Sequence, residues 1–164
     1  MSHLELHAAA ARAGGHCWVE RRLFERLGAG AAGASTPAAV RLLDAHAQHA
    51  AWRAAQWWDR LPVLAGLDRD ALVAPPPGWE ALFAEPDGPA PGPGDGPRLA
   101  VAYRRWLPRL ARVYARHLEE ASPVADGPTI RTLRMVLEDV RADWSAGEYR
   151  LQDLEDEPSS GGVG

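Results

Sequence analysis

Several residue types that carry particular chemistry are absent or rare in this chain of 164 residues. It contains no lysine, so Schiff-base catalysis on a lysine amine is excluded. It contains no asparagine, so it has no N-glycosylation site. Cys17 is the one cysteine, and neither an intrachain disulfide nor a multi-cysteine zinc site can form. Because Cys17 lies beside Trp18 and Val19 in a helical pattern, we interpret it as a packed apolar thiol rather than a nucleophile.

The chain also lacks an excess of positive charge and a long apolar run. Its formal net charge is −4, although all 18 basic residues are arginine. We therefore expect it to bind neither nucleic acid nor an anionic membrane surface. No apolar run approaches the roughly 20 residues of a membrane span. The first residues lack the basic segment and apolar core of a signal peptide, so we predict a cytoplasmic protein.

Apolar spacing at the helical period, together with caps, prolines and glycines, predicts four long helices. Ser2 with Glu5 forms a capping box for the first helix, and Thr36 before Pro37 marks the start of the second. The expected bounds are about 2–27, 36–61 and 97–121, and a fourth helix that begins at Asp126 or Thr129 and ends at about 154. No strand pattern with a period of two residues occurs. We predict an all-α fold, an antiparallel four-helix bundle, as a single domain over residues 1–156.

Residues 62–96 differ from the rest because proline and glycine interrupt any helix there. Three consecutive prolines stand at 75–77, and a proline-glycine tract covers 85–94. Two short amphipathic pieces are expected to form single helical turns, at residues 67–74 and 79–84. We predict that residues 62–96 are a mobile linker or lid and that the polar tail at 157–164 is disordered.

Two positions inside the predicted helices are irregular. Gly14 and Gly15 weaken the first helix by about 1 kcal/mol each relative to alanine, which favours a kink or a split there. Pro108 removes one backbone hydrogen bond, so we expect a kink in the third helix.

Each predicted helix places an ionisable residue on or near its apolar face. Glu20 lies at the centre of the first face, and His46 lies within the second with His49 at its border. The third face carries His117, and the other candidates lie at edges or rims: Glu120, Asp139 and Asp143. A buried charge is costly unless a partner or a metal ion compensates it. One such residue on every helix therefore predicts a shared site.

The depth of these residues along their helices decides whether they share one site. At about 1.5 Å of rise per residue, Glu20 and His46 lie at the same level of an antiparallel pair. His117 and Asp139 reach that level if the four helices run alternately up and down. If the linker crosses over instead, His117 moves away and Glu120 comes no closer.

The candidates also have interpretations that require no site. Glu20 can form an internal ion pair with Arg53 or bond to a histidine of the second helix. His117 alone can be a hydrogen-bonded core residue. His49 and Arg53 can form a solvated border, and Asp139 can be a solvated carboxylate. These alternatives stay open at the level of the sequence.

A carboxylate on the first helix, histidines on the second, and acidic or histidine positions on the third and fourth resemble the ferritin-like four-helix proteins. Those proteins bind two iron or manganese ions with a Glu from each of two helices and Glu-x-x-His from each of the others. Glu20 matches the first Glu, but residues 46–49 form His-x-x-His, with His46 where the bridging Glu stands. The remaining helices offer His117, Glu120, Glu138, Asp139 and Asp143. Because neither Glu-x-x-His motif is intact, a single metal ion and a metal-free polar pocket both stay open.

A second similarity concerns residues 19–24 and 60–64, which resemble small actinobacterial proteins of the ferritin-like type. It implies a fold and not a reaction. The enzymatic hypothesis is a metal-dependent oxidase or oxygenase acting on a small molecule, with iron or another divalent metal and with Glu20 and His46 catalytic. Its metal ligands are expected among Glu20, His46, His49, His117, Glu120, Asp139 and Asp143. The alternatives are a metal-free, non-catalytic accessory or small-molecule-binding protein and a metal-free pocket in which His46 or Glu20 performs acid–base chemistry.

The tryptophans suggest partners. Trp57, Trp106 and Trp144 are expected in the core, whereas Trp52 and Trp58 point to other sides, toward the linker or another subunit. We therefore predict a homodimer. An aromatic-lined cavity under the proline-rich linker would suit a hydrophobic small molecule.

Overall fold

The computed structural model describes residues 3–63, 65–66, 68–84 and 94–156, which form an all-α structure. Within these ranges there are four long helices and two short ones, and no strand. The helices are α1 (His3–Ala32), α2 (Pro37–Trp58), α3 (Arg69–Leu72), α4 (Trp79–Ala84), α5 (96–120) and α6 (Gly127–Asp156). No helix among these residues is long and apolar enough to cross a membrane.

Most helix boundaries agree with the local sequence. Thr36 accepts a hydrogen bond from the N–H of Ala39, and Pro37 is the first residue of α2, as predicted. The predicted end of the first helix at residue 27 is wrong, because α1 continues through Gly28 to Ala32. Three predictions lie outside the described residues: the capping at Ser2, the mobility of 85–93 and the disorder of 157–164.

The helix directions differ from the predicted antiparallel arrangement at one place. His46 bonds to Tyr103 and Trp57 bonds to Tyr114, and both pairs are separated by 57 residues. A constant separation means that α2 and α5 run parallel. The connection between them therefore crosses back along the molecule, which is the alternative topology that moves His117 away.

The other long helices run antiparallel where they touch. On α1 and α2, Cys17 contacts the Ala54 carbonyl, and Glu20 pairs with Arg53. The contacts between α2 and α6 are also antiparallel, as the pairs His49–Asp143 and Arg53–Asp139 show. Because α5 runs parallel to α2, α5 and α6 are antiparallel as well. Along the chain the four long helices run up, down, down and up.

The buried face of α1 is rotated relative to the predicted one. Helical spacing predicts an apolar face that includes Ala9 and Phe24 with Cys17, but Ala9 and Phe24 are exposed, Phe24 to 41%. The reason is that α1 packs on two sides at once. Cys17 faces α2, while His16 bonds to His117 on α5. The buried arc therefore includes His16 and leaves Phe24 outside.

Gly14 and Gly15 allow the linker to lie directly on α1, which continues through them as one helix. A Cβ on Gly14 would lie 1.9 Å from the Leu72 carbonyl oxygen, and one on Gly15 would lie 2.9 Å from Cγ of Pro76. The two glycines thus weaken the helix locally but permit a close approach that no larger residue allows. Residues 72–76 are consequently packed on the helix.

The third long helix, α5, changes its hydrogen-bonding pattern along its length. It is α-helical over Gly96–Ala100, π-helical over Val101–Trp106 and α-helical again over Leu107–Glu120. The N–H of Leu107 donates to the carbonyl of Ala102, five residues earlier. The irregularity predicted at Pro108 thus lies in the preceding turn, next to a residue that has no N–H to donate. The π turn carries Tyr103, and such turns often occur at functional sites.

Candidate functional site

Arg53 on α2 is fully buried and is the centre of a polar cluster. Its Nε donates to Glu20 Oε1 at 2.8 Å, and its Nη1 donates to Asp139 Oδ2 at 2.6 Å and Asp143 Oδ2 at 2.8 Å. Burial disfavours the charged guanidinium, but Glu20 and Asp143 raise the pKa of Arg53 above its ordinary value. The Glu20–Arg53 ion pair is therefore the alternative that the structure shows, and the interpretation of Arg53 as a solvated border residue is wrong.

His46, His49 and Asp143 bring three ligand atoms together beside Arg53. His49 Nδ1 is 2.7 Å from Asp143 Oδ1, and His46 Nε2 is 3.3 Å from the same oxygen. The three ligand atoms lie within 4.8 Å of one another. His46 and Asp143 are buried, whereas the His49 side chain is 48% exposed, so the cluster opens to solvent at His49. Burial lowers the pKa of His46 although the Asp143 charge opposes this, which favours the neutral ring that binds metals.

Tyr103 holds the other side of the His46 ring. Its hydroxyl is 2.8 Å from His46 Nδ1, so Nε2 is the nitrogen that faces Asp143. Burial, with a contribution from the Asp143 charge, raises the pKa of Tyr103, and its hydroxyl therefore stays neutral. Gly147 on α6 makes room for the ring, since a Cβ there would lie 2.1 Å from Tyr103 Cδ1. The π turn and Gly147 together set the position of His46.

Glu20 connects the cluster to the aromatic core. The Tyr114 hydroxyl donates to Glu20 Oε1 at 2.7 Å and accepts from Trp57 Nε1 at 2.9 Å. Burial raises the pKa of Glu20, while Arg53 and Tyr114 act in the opposite direction. Its other oxygen, Oε2, is buried and has no hydrogen-bond partner among the described residues. Glu20 contacts Arg53 rather than the histidines of α2.

His117 and Glu120 lie in a different part of the molecule. His117 Nδ1 is 2.9 Å from Nε2 of His16, and both rings are buried. Burial lowers the pKa of His117 to about 4 and that of His16 well below 6.5. Glu120 forms an exposed ion pair with Arg12 at 2.7 Å. The cause is the crossover, which puts the end of α5 beside the start of α1.

The Glu20–Arg53 ion pair was among the alternatives open from the sequence, but the roles of Tyr103 and Tyr114 were not expected. Helical spacing puts both tyrosines on the apolar face of the third helix with Leu99 and Leu110, and both are fully buried. A buried tyrosine hydroxyl nearly always has a hydrogen-bond partner, which was the available clue that this face contacts polar residues.

The cluster fits one metal ion and not two. Bonds of about 2.0–2.2 Å place neighbouring ligand atoms about 2.8–3.6 Å apart. Two of the three separations here are 2.7 and 3.3 Å, and the third, between the two histidine nitrogens, is at most 4.8 Å. A second ion would need Glu20, Asp139 and Asp143, which already enclose the guanidinium of Arg53. The paired ions of ferritin-like proteins therefore do not fit here.

Comparison with known proteins adds no assignment. No protein-family model, no curated protein and no solved structure matches the chain. The function of the site has to follow from its own residues and their geometry.

Proposed function

We propose that this chain is a ferritin-like four-helix protein that binds one divalent metal ion, preferentially iron, and supports the oxidation of a small molecule. The ligands are His46, His49 and Asp143. The observation that carries the proposal is the convergence of two imidazoles and one carboxylate, from two antiparallel helices, within 4.8 Å.

The helix directions support the ferritin-like assignment. Ferritin-like folds differ from simple up-and-down bundles by one long crossover connection. Here the connection between α2 and α5 crosses over, because those helices run parallel. Long helices in the order up, down, down and up, with one crossover, are the arrangement that this architecture requires.

The charge of the cluster supports a divalent cation. Three carboxylates, from Glu20, Asp139 and Asp143, face one guanidinium, that of Arg53. Two formal negative charges are left unmatched in a largely buried region, which is costly. A divalent ion at the adjacent histidines would balance them.

Two histidines and one carboxylate are the ligand set of non-haem iron(II) oxygenases, and iron bound here would supply that reactivity toward oxygen. The residues of this chain hold the ligands in place. Arg53 fixes Asp143 through its Oδ2, which leaves Oδ1 directed at the histidines. Tyr103 fixes the ring of His46. Glu20 is a positioning residue in this proposal, because it contacts Arg53 and none of the three ligands.

A metal-free role is the competing proposal, and one observation favours it. Asp143 already bonds to Arg53 and to His49, so the cluster forms a connected hydrogen-bond network without an ion. In that case the network would fix the packing of α2 against α6 in a non-catalytic accessory protein.

Metal titration separates the two proposals. Untagged protein is titrated with iron(II) without oxygen, and separately with zinc(II) and manganese(II). Wild type is compared with His49→Ala, which alters a half-exposed side chain, and with His117→Ala as a control in the other histidine pair. We expect one ion per chain in wild type and the control, and affinity lower by about two orders of magnitude or more in His49→Ala. No saturable binding in wild type would support the metal-free role, and unchanged binding by His49→Ala would refute this ligand set.

A further inference from the structure

A cavity of about 480 Å³ lies between α1, α5 and the linker segment 71–79. Ligand sites for small molecules typically measure about 300–1,000 Å³. His46, His49 and Asp143 are not among the described residues that line the cavity. His16, which lines the cavity, contacts the rings of Trp57 and Tyr114. Tyr114 in turn bonds to Glu20, and Glu20 bonds to Arg53.

The linker segment 71–79 forms the roof of the cavity, and its proline-rich sequence makes the roof apolar. Pro75, Pro76 and Pro77 line it, and prolines have no backbone N–H to present to the interior. The roof is held close to α1 by Gly14 and Gly15, where side chains would collide with Leu72 and Pro76. Two adjacent glycines weaken a helix relative to alanines, but here they permit the close approach of the roof.

The walls of the cavity are also mainly apolar. Val19 from α1, Leu110 and Val113 from α5, and Trp79 from α4 contribute to them. The guanidinium of Arg109 lies over the Trp79 ring, 5.4 Å from the ring centroid. An apolar ligand would thus meet aliphatic side chains and the indole of Trp79.

Arg12 and His16 are the only titratable residues among the described residues that line the cavity. Arg12 is half-exposed and is already paired with Glu120. His16 is buried, and its Nε2 is occupied by the hydrogen bond to His117. Burial, followed by the influence of His117, lowers the pKa of His16, so the ring is neutral at neutral pH. Among the described side chains that line the interior, the imidazole of His16 is therefore the one uncharged hydrogen-bonding group.

We propose that this cavity binds an uncharged, mainly apolar small molecule with one hydrogen-bonding group, which faces His16 while its apolar part packs against Trp79. An uncharged ligand follows from the neutral imidazole and from the absence of an unpaired charge among the described lining residues. The site goes beyond the proposed metal function and does not depend on it, since it shares no residue with the metal ligands.

Equilibrium dialysis with 1-naphthol and naphthalene tests the proposal. We expect saturable binding of both to wild type, with 1-naphthol tighter by about two- to tenfold, the equivalent of one neutral hydrogen bond. His16→Phe should bind both probes equally. A preference that persists in His16→Phe would overturn the role of His16, and no saturable binding of either probe to wild type would overturn the site.

Filling the cavity provides the second arm of the test. Ala11→Trp introduces an indole from an exposed position of α1 that lines the cavity, and Val113→Trp introduces one from α5. Both should weaken binding by at least about tenfold, because the indole takes the ligand's space. Met135→Trp adds the same group to an exposed position of α6 and should bind like wild type. Iron(II) binding should be unchanged in Ala11→Trp, so the outcomes for the two sites are independent. Wild-type affinity in both filling variants would contradict the proposal.

Discussion

The polar cluster depends on Arg53, whose guanidinium is buried. A buried charge is tolerated when its partners satisfy it, and losing one partner of such a pair typically costs about 3–5 kcal/mol. Arg53 makes three charge-assisted bonds to carboxylates on two other helices. The planar fork of arginine can make these bonds at fixed angles, whereas a lysine ammonium is a point charge on a flexible stem.

We expect Arg53→Ala to lower the free energy of unfolding by about 3–5 kcal/mol, because it leaves Glu20 and Asp143 buried without their partner. Arg53→Lys should recover only part of this loss. The matched control is Arg104→Ala, since Arg104 pairs with Glu148 and Glu155 at the surface. It should cost about 1 kcal/mol or less. Denaturant unfolding measures all three, and equal losses for Arg53→Ala and Arg104→Ala would show that the buried network is not important for stability.

The His16–His117 pair predicts a pH dependence of stability. Both rings are buried, and burial lowers the pKa of His117 to about 4, compared with 6.5 for an ordinary histidine. Between these values the unfolded chain binds the proton and the folded chain does not. Stability is therefore fully present above about pH 6.5 and falls as the pH drops toward 4, with a slope of up to about 1.4 kcal/mol per pH unit for each histidine.

His117→Gln keeps a hydrogen-bonding group but removes one of the two titrating rings. Arg12, Glu120 and Asp126 also influence His117 and remain in the variant. The free energy of unfolding, measured by denaturant between pH 7 and pH 5, should decline less steeply in His117→Gln than in wild type. Parallel curves for the two proteins would rule out His117 as a source of the dependence.

At the scale of the helices, the π turn of α5 and Gly147 of α6 act as one unit. The π turn presents Tyr103, and Gly147 provides the space for its ring. The ring in turn orients His46 by a hydrogen bond of 2.8 Å. The geometry of the ligand cluster therefore depends on a backbone irregularity in a neighbouring helix.

Gly147→Ala is expected to destabilise the protein and weaken metal binding, because its Cβ would lie 2.1 Å from Tyr103 Cδ1. Overpacking of this kind typically costs about 1–3 kcal/mol. Gly28→Ala is the control, since nothing lies within 4 Å of a Cβ at that helical position. It should raise the free energy of unfolding by about 0.5–1 kcal/mol. Thermal unfolding with an iron(II) titration measures both, and a neutral Gly147→Ala would contradict the proposed link to His46.

Helix starts could be predicted from the sequence because local chemistry decides them. Thr36 and Pro37 fix the start of α2 through a side-chain hydrogen bond and a preset backbone angle. The end of α1 was missed because packing overrides the low helix propensity of Gly28 and Gly30. The π turn of α5 has no distinct spacing of apolar residues, so nothing in the sequence pattern indicates it.

At the scale of the whole molecule, the path of the linker decides which side chains meet. Because α2 and α5 run parallel, Tyr103 rather than His117 lies beside His46. Glu20 and His46 were predicted at one level, but Glu20 pairs with Arg53, which lies seven residues, or about 10 Å, further along α2 than His46. Arg53 in turn bonds to α6 through Asp139. The direction of α5 depends on long-range packing of the linker, which apolar periodicity does not encode.

The homodimer expected from Trp52 and Trp58 stays a prediction. Trp58 does not need a second subunit, because the guanidinium of Arg69 from the linker lies 4.3 Å from its ring centroid. Trp52 is 41% exposed and is the remaining aromatic candidate for an interface on α2. The mass of the intact protein in solution reports this state.

Native mass spectrometry after anaerobic loading with iron(II) tests the central claim most directly, because it counts ions per chain in the intact protein. Wild type should gain the mass of one iron per chain, and Asp143→Asn should gain none while it keeps the helical content of wild type. Two irons per chain would contradict the conclusion that Arg53 takes the place of a second ion. No bound iron in wild type would contradict the metal site itself.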